Sequence, residues 1–341
     1  MKRVKRADDW LIERVNAWRQ DIILFAVEAF PWGAPGYDVV RGCPRWRERF
    51  PNCEFGLDDW AYDIFEDINA QVQANDFDGA KAVDPLRIAV SSGHGIGKTF
   101  TVAIVVLWIM TTRPNCKGTI TATTMPQLEA KTWAQIASMQ KDCLTGHWFE
   151  ITQGRGSMRM YAKESREGWA CAAQTSKEEN SESFAGQHAA SSTSFYIFDE
   201  ASGIPDKIWE VAEGGLTDGE PMIIAFGNPT RASGGFYNCF HRDAARWHTF
   251  KVDSRNAQLP NKKQIAEWAE VYGEDSDFFK VRVRGDFPDN ASVQFIPTSA
   301  VEAAMSREAP GVGGNSFKRA IVGLDIARFG DDASVIATRI G

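Results

Sequence analysis

Four short apolar runs, LRIAV (86–90), GTITAT (118–123), SFYIFDE (194–200) and PMIIAFGN (221–228), alternate with helical stretches at 98–112 and 125–142. Strands this apolar must be covered on both faces, and the intervening helices can supply the cover. The pattern predicts an α/β fold whose mainly parallel sheet is flanked by helices. HTFKV (248–252) reads as one more strand, a strand-rich insert is expected around 148–174, and a short helix over roughly 205–213. In such sheets ligands bind beyond the carboxyl ends of the strands, so chemistry is to be sought there.

An N-terminal helical segment precedes this pattern. Leu11, Val15, Trp18, Ile22 and Phe30 fall at helical spacing within 8–30, and Pro31 stops the run. Residues 57–75 read as a second helix, whereas 31–56, rich in Pro, Gly and Arg, read as irregular. The chain has 341 residues, room for about two domains. No apolar run reaches the roughly 18 residues of a membrane span, so no membrane contact is expected, and VAIVVLWIM (102–110) reads as a buried helix. The N-terminus has no apolar signal core, which points to a cytosolic protein. Six scattered cysteines form no C-x-x-C pair, which argues against zinc and against a disulfide framework. Trp108, Trp133 and Trp209, on expected helices, read as core. Net charge is −7, which argues against a protein that coats duplex DNA. Any grip on DNA would need a local patch. Arg41, Arg45, Arg47 and Arg49, or Arg282 and Arg284, could form one, although either cluster alone reads as solvated surface charge.

SSGHGIGKTF (91–100) lies between the first apolar strand and a helix beginning near Lys98. The phosphate-loop pattern is G-x-x-x-x-G-K-[ST], and Ser92 stands where its first glycine belongs. Gly93, Gly95 and Gly97 let the backbone approach a phosphate, and successive N–H groups through His94 and Ile96 can face an anion at the helix N-terminus. Lys98 would hold the β- and γ-phosphates of ATP, and the Thr99 hydroxyl would ligate Mg²⁺. A glycine-rich turn with a chance GKT is the alternative.

The strand FYIFDE delivers Asp199 and Glu200 to the same edge. Phosphoryl transfer needs a carboxylate for the Mg²⁺ shell and a second group to orient or deprotonate the attacking water. Asp199 suits the first task and Glu200 the second. The end of IIAFGNPT adds Asn228 and Thr230, polar groups able to sense the γ-phosphate.

With these residues in place, the chain resembles the large subunit of the terminase of tailed bacteriophages. The resemblance rests on LDDWAYDI, SSGHGIGKT, TITATTMPQLEAKTW, SFAGQHAASSTSFYIFDEASGIPDKIWEV, AFGNPTRASGGFY, FFKVRVRGDFP and GLDIARFGDDASVI, which span nearly the whole chain in order. It implies a RecA-like P-loop NTPase followed by a nuclease domain similar to ribonuclease H. The implied organisation is an N-terminal helical and lid region (1–84), the ATPase core (85–255), lid and linker helices (256–318) and the first nuclease hairpin (319–341). It also implies an ATP-driven motor that translocates double-stranded DNA into proheads in the cytoplasm of an infected bacterium. The implied partners are a portal protein, a small terminase subunit and further copies of the chain in a ring. By the same carry-over, Lys98 and Thr99 are phosphate-loop residues, Asp199 and Glu200 the Mg²⁺-side and catalytic acids, and Asn228 and Thr230 part of the coupling motif. Asp325 becomes the first carboxylate of a nuclease site that uses divalent metals, with Asp331 and Asp332 in the hairpin turn. Because the chain ends at Gly341, just inside that domain, it is expected to be a fragment without nuclease activity.

The sequence departs from the family at several points. Relatives often carry an arginine in the loop where this chain has His94, many a glutamine where Ala61 follows Trp60, and some an arginine, acting in trans on a neighbour's ATP, at the position of Ala185, before Gly186. A charge-stabilising arginine is worth about 10³-fold or more in such chemistry, so another is expected. Arg155, Arg159, Arg231 and Arg255 are candidates, with His94 or His188 as substitutes. Two other readings stay open: a helicase-like remodeller, since DEAS (199–202) resembles DExD/H boxes, and a nucleotide-binding assembly module without turnover.

Overall fold

The computed structural model describes residues 2–154, 158–185, 187–289, 306, 320–325 and 335–340. The chain divides into two units, Met1–Phe295 and Ile296–Gly341.

The first unit opens with helices α1 (Lys2–Arg19) and α2 (Ile22–Ala29). The single helix expected over 8–30 is thus broken at Gln20–Asp21. Asp21 leaves helical geometry and its carboxylate accepts the Leu24 N–H at 3.0 Å, capping a new helix. Helix α3 (Pro44–Arg49) lies in the segment expected to be irregular. It is one short turn started by Pro44, whose fixed φ suits the first helical position. Helix α4 (Asp59–Asn75) follows, capped by Asp58.

Then come strand β1 (Leu86–Ser92), helix α5 (Lys98–Thr112) and strand β2 (Lys117–Ala122). The expected helix 125–142 is α6 (Met125–Gln127), a π turn (Leu128–Trp133) and α7 (Ala134–Asp142) in succession. The insert is three strands, β3 (Phe149–Thr152), β4 (Arg159–Ala162) and β5 (Ser165–Thr175). The alternation resumes with β6 (Ser194–Phe198), α8 (Asp206–Gly214), β7 (Met222–Gly227), α9 (Gly235–Phe240) and β8 (His248–Val252). Helix α10 (Lys262–Tyr272) and a turn of helix α11 (Asp277–Phe279) running into a π turn (Lys280–Arg284) close the unit.

Eight strands form one sheet in the order β3-β4-β5-β2-β6-β7-β1-β8. Pairing is parallel from β5 through β8, and only the β3–β4–β5 edge is antiparallel. Alternate residues feed opposite faces, as the two-residue period of a strand requires. Ile197 joins a large core with α2, α4 and α5, whereas Tyr196 and Phe198 join a smaller one with Ile208, Trp209 and Phe236. Helix α5 is buried all along Thr101–Thr112, as its uniform apolarity requires. Trp108, Trp133 and Trp209 are all buried, as expected. No helix among the described residues is long and apolar enough to cross a membrane.

In the second unit, β9 (Ala320–Asp325) and β10 (Val335–Ile340) pair antiparallel, with Asp325 opposite Val335. Asp331 and Asp332 lie outside the described residues.

A buried ion pair ties the far end of α5 to the start of β7. Arg113 donates to Glu220 from Nε at 3.1 Å and Nη2 at 3.2 Å, and both side chains are almost wholly enclosed. Burial by itself would raise the Glu220 carboxyl. The Arg113 charge and hydrogen bond, with the Thr193 hydroxyl at 2.6 Å, outweigh it and hold the pKa below its ordinary 4.5. Glu220→Gln is therefore expected to lower unfolding free energy by about 3–5 kcal/mol at neutral pH, because Arg113 is left buried and unpaired. A carboxyl depressed on folding contributes fully above its ordinary pKa and loses that contribution as pH falls through the folded value. Urea denaturation should show the gap between wild type and Glu220→Gln narrowing below about pH 4.

Candidate functional site

Register brings the strand ends together. Ser91 pairs with Gly227, Ser92 with Val252, Phe198 with Ala225 and Thr121 with Phe198. The residues just past β1, β6 and β7 therefore emerge side by side at the carboxyl edge.

Past β1 the chain makes the tight turn Gly93–Gly97. Gly95 (φ +77°) and Gly97 (φ +94°) hold left-handed conformations that strain any other residue. Gly93 is required by crowding, since a Cβ there would fall 2.2 Å from Ser254 Oγ and 2.3 Å from the Val283 carbonyl oxygen. The outer side of the turn is clamped. Gly93 N–H donates to Val252 O at 3.0 Å, His94 N–H to Arg282 O at 2.8 Å, and Ser254 Oγ to His94 O at 2.8 Å. The N–H groups of Gly95, Ile96 and Gly97 bond no described residue, and they lead directly into the first turn of α5 at Lys98 and Thr99.

Lys98 folds back over this turn. Its Nζ donates to Ser92 Oγ at 3.0 Å, Asn228 Oδ1 at 3.3 Å and Gly93 O at 3.4 Å. Asn228 Nδ2 in turn donates to Ser92 O at 2.6 Å. The serine that breaks the glycine pattern is thus a hydrogen-bond acceptor for the loop lysine. Burial lowers the Lys98 pKa and the Lys131 charge adds to the effect, while Glu200 and Asp199 oppose it. The His94 residue is exposed, yet desolvation of its ring and the charges of Lys98, Arg282 and Lys131 hold its pKa below the ordinary value.

β6 stops at Phe198, two residues earlier than expected, because the chain turns at the acids themselves. Asp199 is buried, with its N–H on Thr121 O at 2.8 Å, and its carboxylate accepts from Thr132 Oγ1 and from the Glu200 N–H at 3.0 Å. Glu200 has φ +53°, a left-handed non-glycine residue of the kind that gathers at functional sites. Thr132 was invisible to sequence reasoning, since nothing local marks a threonine in a helical run as the partner of an acid 67 residues on.

Asn228 meets Lys98, but Thr230 does not. Thr230 is exposed, and its N–H and hydroxyl both lie 3.1 Å from Ser202 Oγ, which also accepts the Arg231 N–H at 3.2 Å. Ser202 therefore links the turn after the acids to the segment after β7, a connection the sequence did not reveal.

An apolar hollow opens beside Ile96 and Gly97, lined among others by Trp32, Tyr37, Trp60, Phe100 and Leu259. Ala61 lines it as well. The Trp60 indole N–H is buried with no acceptor among the described residues.

Four of the six arginines in the basic clusters are ion-paired. Arg41 pairs with Glu54, Arg45 with Asp59, Asp63 and Glu66, Arg49 with Asp21 and Arg284 with Asp286, while Arg47 donates to Gly42 O. Of the charge-stabilising candidates, Arg159 pairs with Glu167, Arg255 with Asp253 and Glu274, and His188 with Asp218. Arg155 and Gly186 lie outside the described residues, and Asp325 is the last residue of β9 in the second unit.

A glycine turn between a buried strand and a helix N-terminus, at the carboxyl edge of a parallel sheet, is an arrangement that phosphate-binding α/β proteins share. A family model described as terminase large subunit, T4likevirus-type, N-terminal, matches residues 90–299, and the chain belongs to this family. A curated relative, the probable terminase large subunit of Enterobacteria phage P7, is 29% identical over 296 residues. The match covers 79% of this chain and 56% of the relative, so the chain spans little more than half of that protein's length. The crystal structure of the HK97 bacteriophage large terminase superposes with a TM-score of 0.53 at 14% identity, covering 94% of this chain and 67% of that one. This likeness shows the shared fold.

The left-handed turn at Glu200 makes a measurable prediction. Glycine carries no Cβ penalty there, so Glu200→Gly should be more stable than Glu200→Ala by about 1 kcal/mol. Equal denaturant midpoints would show that the turn is unstrained.

Proposed function

We propose that the chain is the ATPase part of a viral DNA-packaging motor. The observation that carries the reading is the convergence of loop N–H groups that bond no described residue, a half-buried lysine and two strand-end acids at one edge of the sheet. In this reading Gly93, His94, Gly95, Ile96 and Gly97 wrap the ATP phosphates, those N–H groups facing them and Lys98 reaching the β- and γ-oxygens. The apolar hollow beside Gly97 takes the base by packing against aromatic rings, with no side-chain amide from position 61.

The Thr99 hydroxyl and the Asp199 carboxylate are hard oxygen donors of the kind Mg²⁺ requires, and Thr132 orients the carboxylate. When bound, Mg²⁺ neutralises charge on the β- and γ-oxygens. Glu200, projected by its left-handed turn, orients the attacking water and takes its proton. Asn228 links Lys98 to the Ser92 carbonyl, so occupancy of the phosphate site is sensed at the end of β7. Thr230 passes that state on through Ser202. The motor work itself, with duplex DNA, a portal protein, a small terminase subunit and a homo-oligomeric ring in the host cytoplasm, is carried from the family. So is the role of Asp325 as the first carboxylate of a divalent-metal nuclease.

Mg²⁺-ATP turnover tests the reading. Wild type should hydrolyse ATP, and Lys98→Ala and Glu200→Gln should each lose about 10²-fold or more in kcat. Binding without turnover, unchanged by Glu200→Gln, would favour an assembly module. Equal background in all three proteins would remove the catalytic claim.

A further inference from the structure

Phosphoryl transfer spreads negative charge over the γ-phosphoryl oxygens, and a cation added there is worth about 10³–10⁵-fold in rate. Of the arginines offered by the sequence, Arg159 and Arg255 are ion-paired, Arg155 lies outside the described residues, and Arg231 is exposed on the segment after β7 with no ion pair among the described residues. Two cations beside the turn have no carboxylate partner among the described residues, Lys131 and Arg282. The Arg282 guanidinium lies 4.8 Å from the centre of the Phe278 ring.

Lys131 sits within the π turn that follows β2, and π turns inside α-helices recur at functional sites. Strand β2 lies against β6, whose end carries the acids. The π turn is fixed to that end, because the next residue, Thr132, donates to Asp199. Gln127, four residues before Lys131 and so on the same side of the helix, accepts from the hydroxyls of Thr123 and Thr124 at 2.9 Å. Thr123 in turn abuts Gly203, just past Glu200, since a Cβ on that glycine would fall 2.5 Å from the threonine methyl. Lys131 is exposed, and its charge lowers the pKa of both Lys98 and His94 across the opening.

We propose that Lys131 contacts the γ-phosphoryl oxygens of nucleotide bound at the Gly93–Thr99 turn and is the charge-stabilising cation, supplied by the same chain. The proposal rests on the ATPase reading. In the step, the water oxygen bonds to the γ-phosphorus while the bond from that phosphorus to the β–γ bridging oxygen breaks, giving ADP and phosphate. The water proton goes to Glu200. Lys131 donates hydrogen bonds throughout and transfers no proton.

The test compares binding of Mg²⁺-ADP with and without beryllium fluoride, a γ-phosphate mimic, for wild type, Lys131→Ala, Lys131→Arg and Lys98→Ala. Wild type should bind the beryllofluoride complex about 10²-fold more tightly than ADP. Lys131→Ala should bind ADP normally and lose most of that preference, with kcat falling and KM for ATP rising, and Lys131→Arg should restore all three. If Lys131→Ala keeps the preference, or Lys131→Arg loses it equally, while Lys98→Ala still abolishes binding, the role of Lys131 is overturned and the ATPase reading stands. If wild type binds neither ligand, both fall.

Discussion

The parallel ladder that places β1 between β7 and β8, and β7 beside β6, is what the rest of the molecule depends on. It is a backbone arrangement, indifferent to most side chains. It nevertheless brings Ser92, Asp199 and Asn228 from three distant parts of the chain to one edge. Both faces of that ladder must be dry, which explains why α5 is apolar all round and why Tyr196 and Phe198 face a separate core from Ile197. The polar residues of the site begin where the ladder stops, because only there can they reach water and a ligand.

Much of this was legible from the residues. β1, α5, β2, β7 and β8 lie at or within two residues of their expected limits, since apolar runs bounded by Gly and Pro leave little choice. The turn was legible because its chemistry is local. What escaped was settled by side chains meeting over long sequence distances or by a choice between near-equal local states. Asp21 broke a helix because capping competes with continuing it. Glu200 turned left-handed against its intrinsic preference. Thr132 and Ser202 became partners of Asp199 and of the segment after β7 through contacts that no period records.

Ser92 shows why a broken pattern need not mean a broken site. The first glycine of a phosphate loop is one way to leave room at the end of β1. Here the room comes from elsewhere, since Gly285 (φ +68°) brings its backbone against Ser92, where a Cβ would fall 2.9 Å from the serine Cα. The serine hydroxyl then becomes a fixed acceptor for Lys98, and Asn228 completes the arrangement from the neighbouring strand. The electrostatics follow from that enclosure: with Lys98 desolvated and Lys131 nearby, the opening is poised for an anion.

The clamp on the outer side of the turn also has a temporal meaning. Val252, Ser254, Arg282, Val283 and Gly285 all hold or crowd residues 91–94, and the contact from Ser91 Oγ to Gly285 O closes a span of 194 residues. A ribosome delivers the turn long before it delivers the segment that braces it. During synthesis the strand and helix can form while the turn between them lacks its outer support, and non-local closure of this kind is slow. The nascent chain thus passes through a stage with its sheet largely assembled and the glycine turn at its edge still unbraced, until residues 282–285 dock against it.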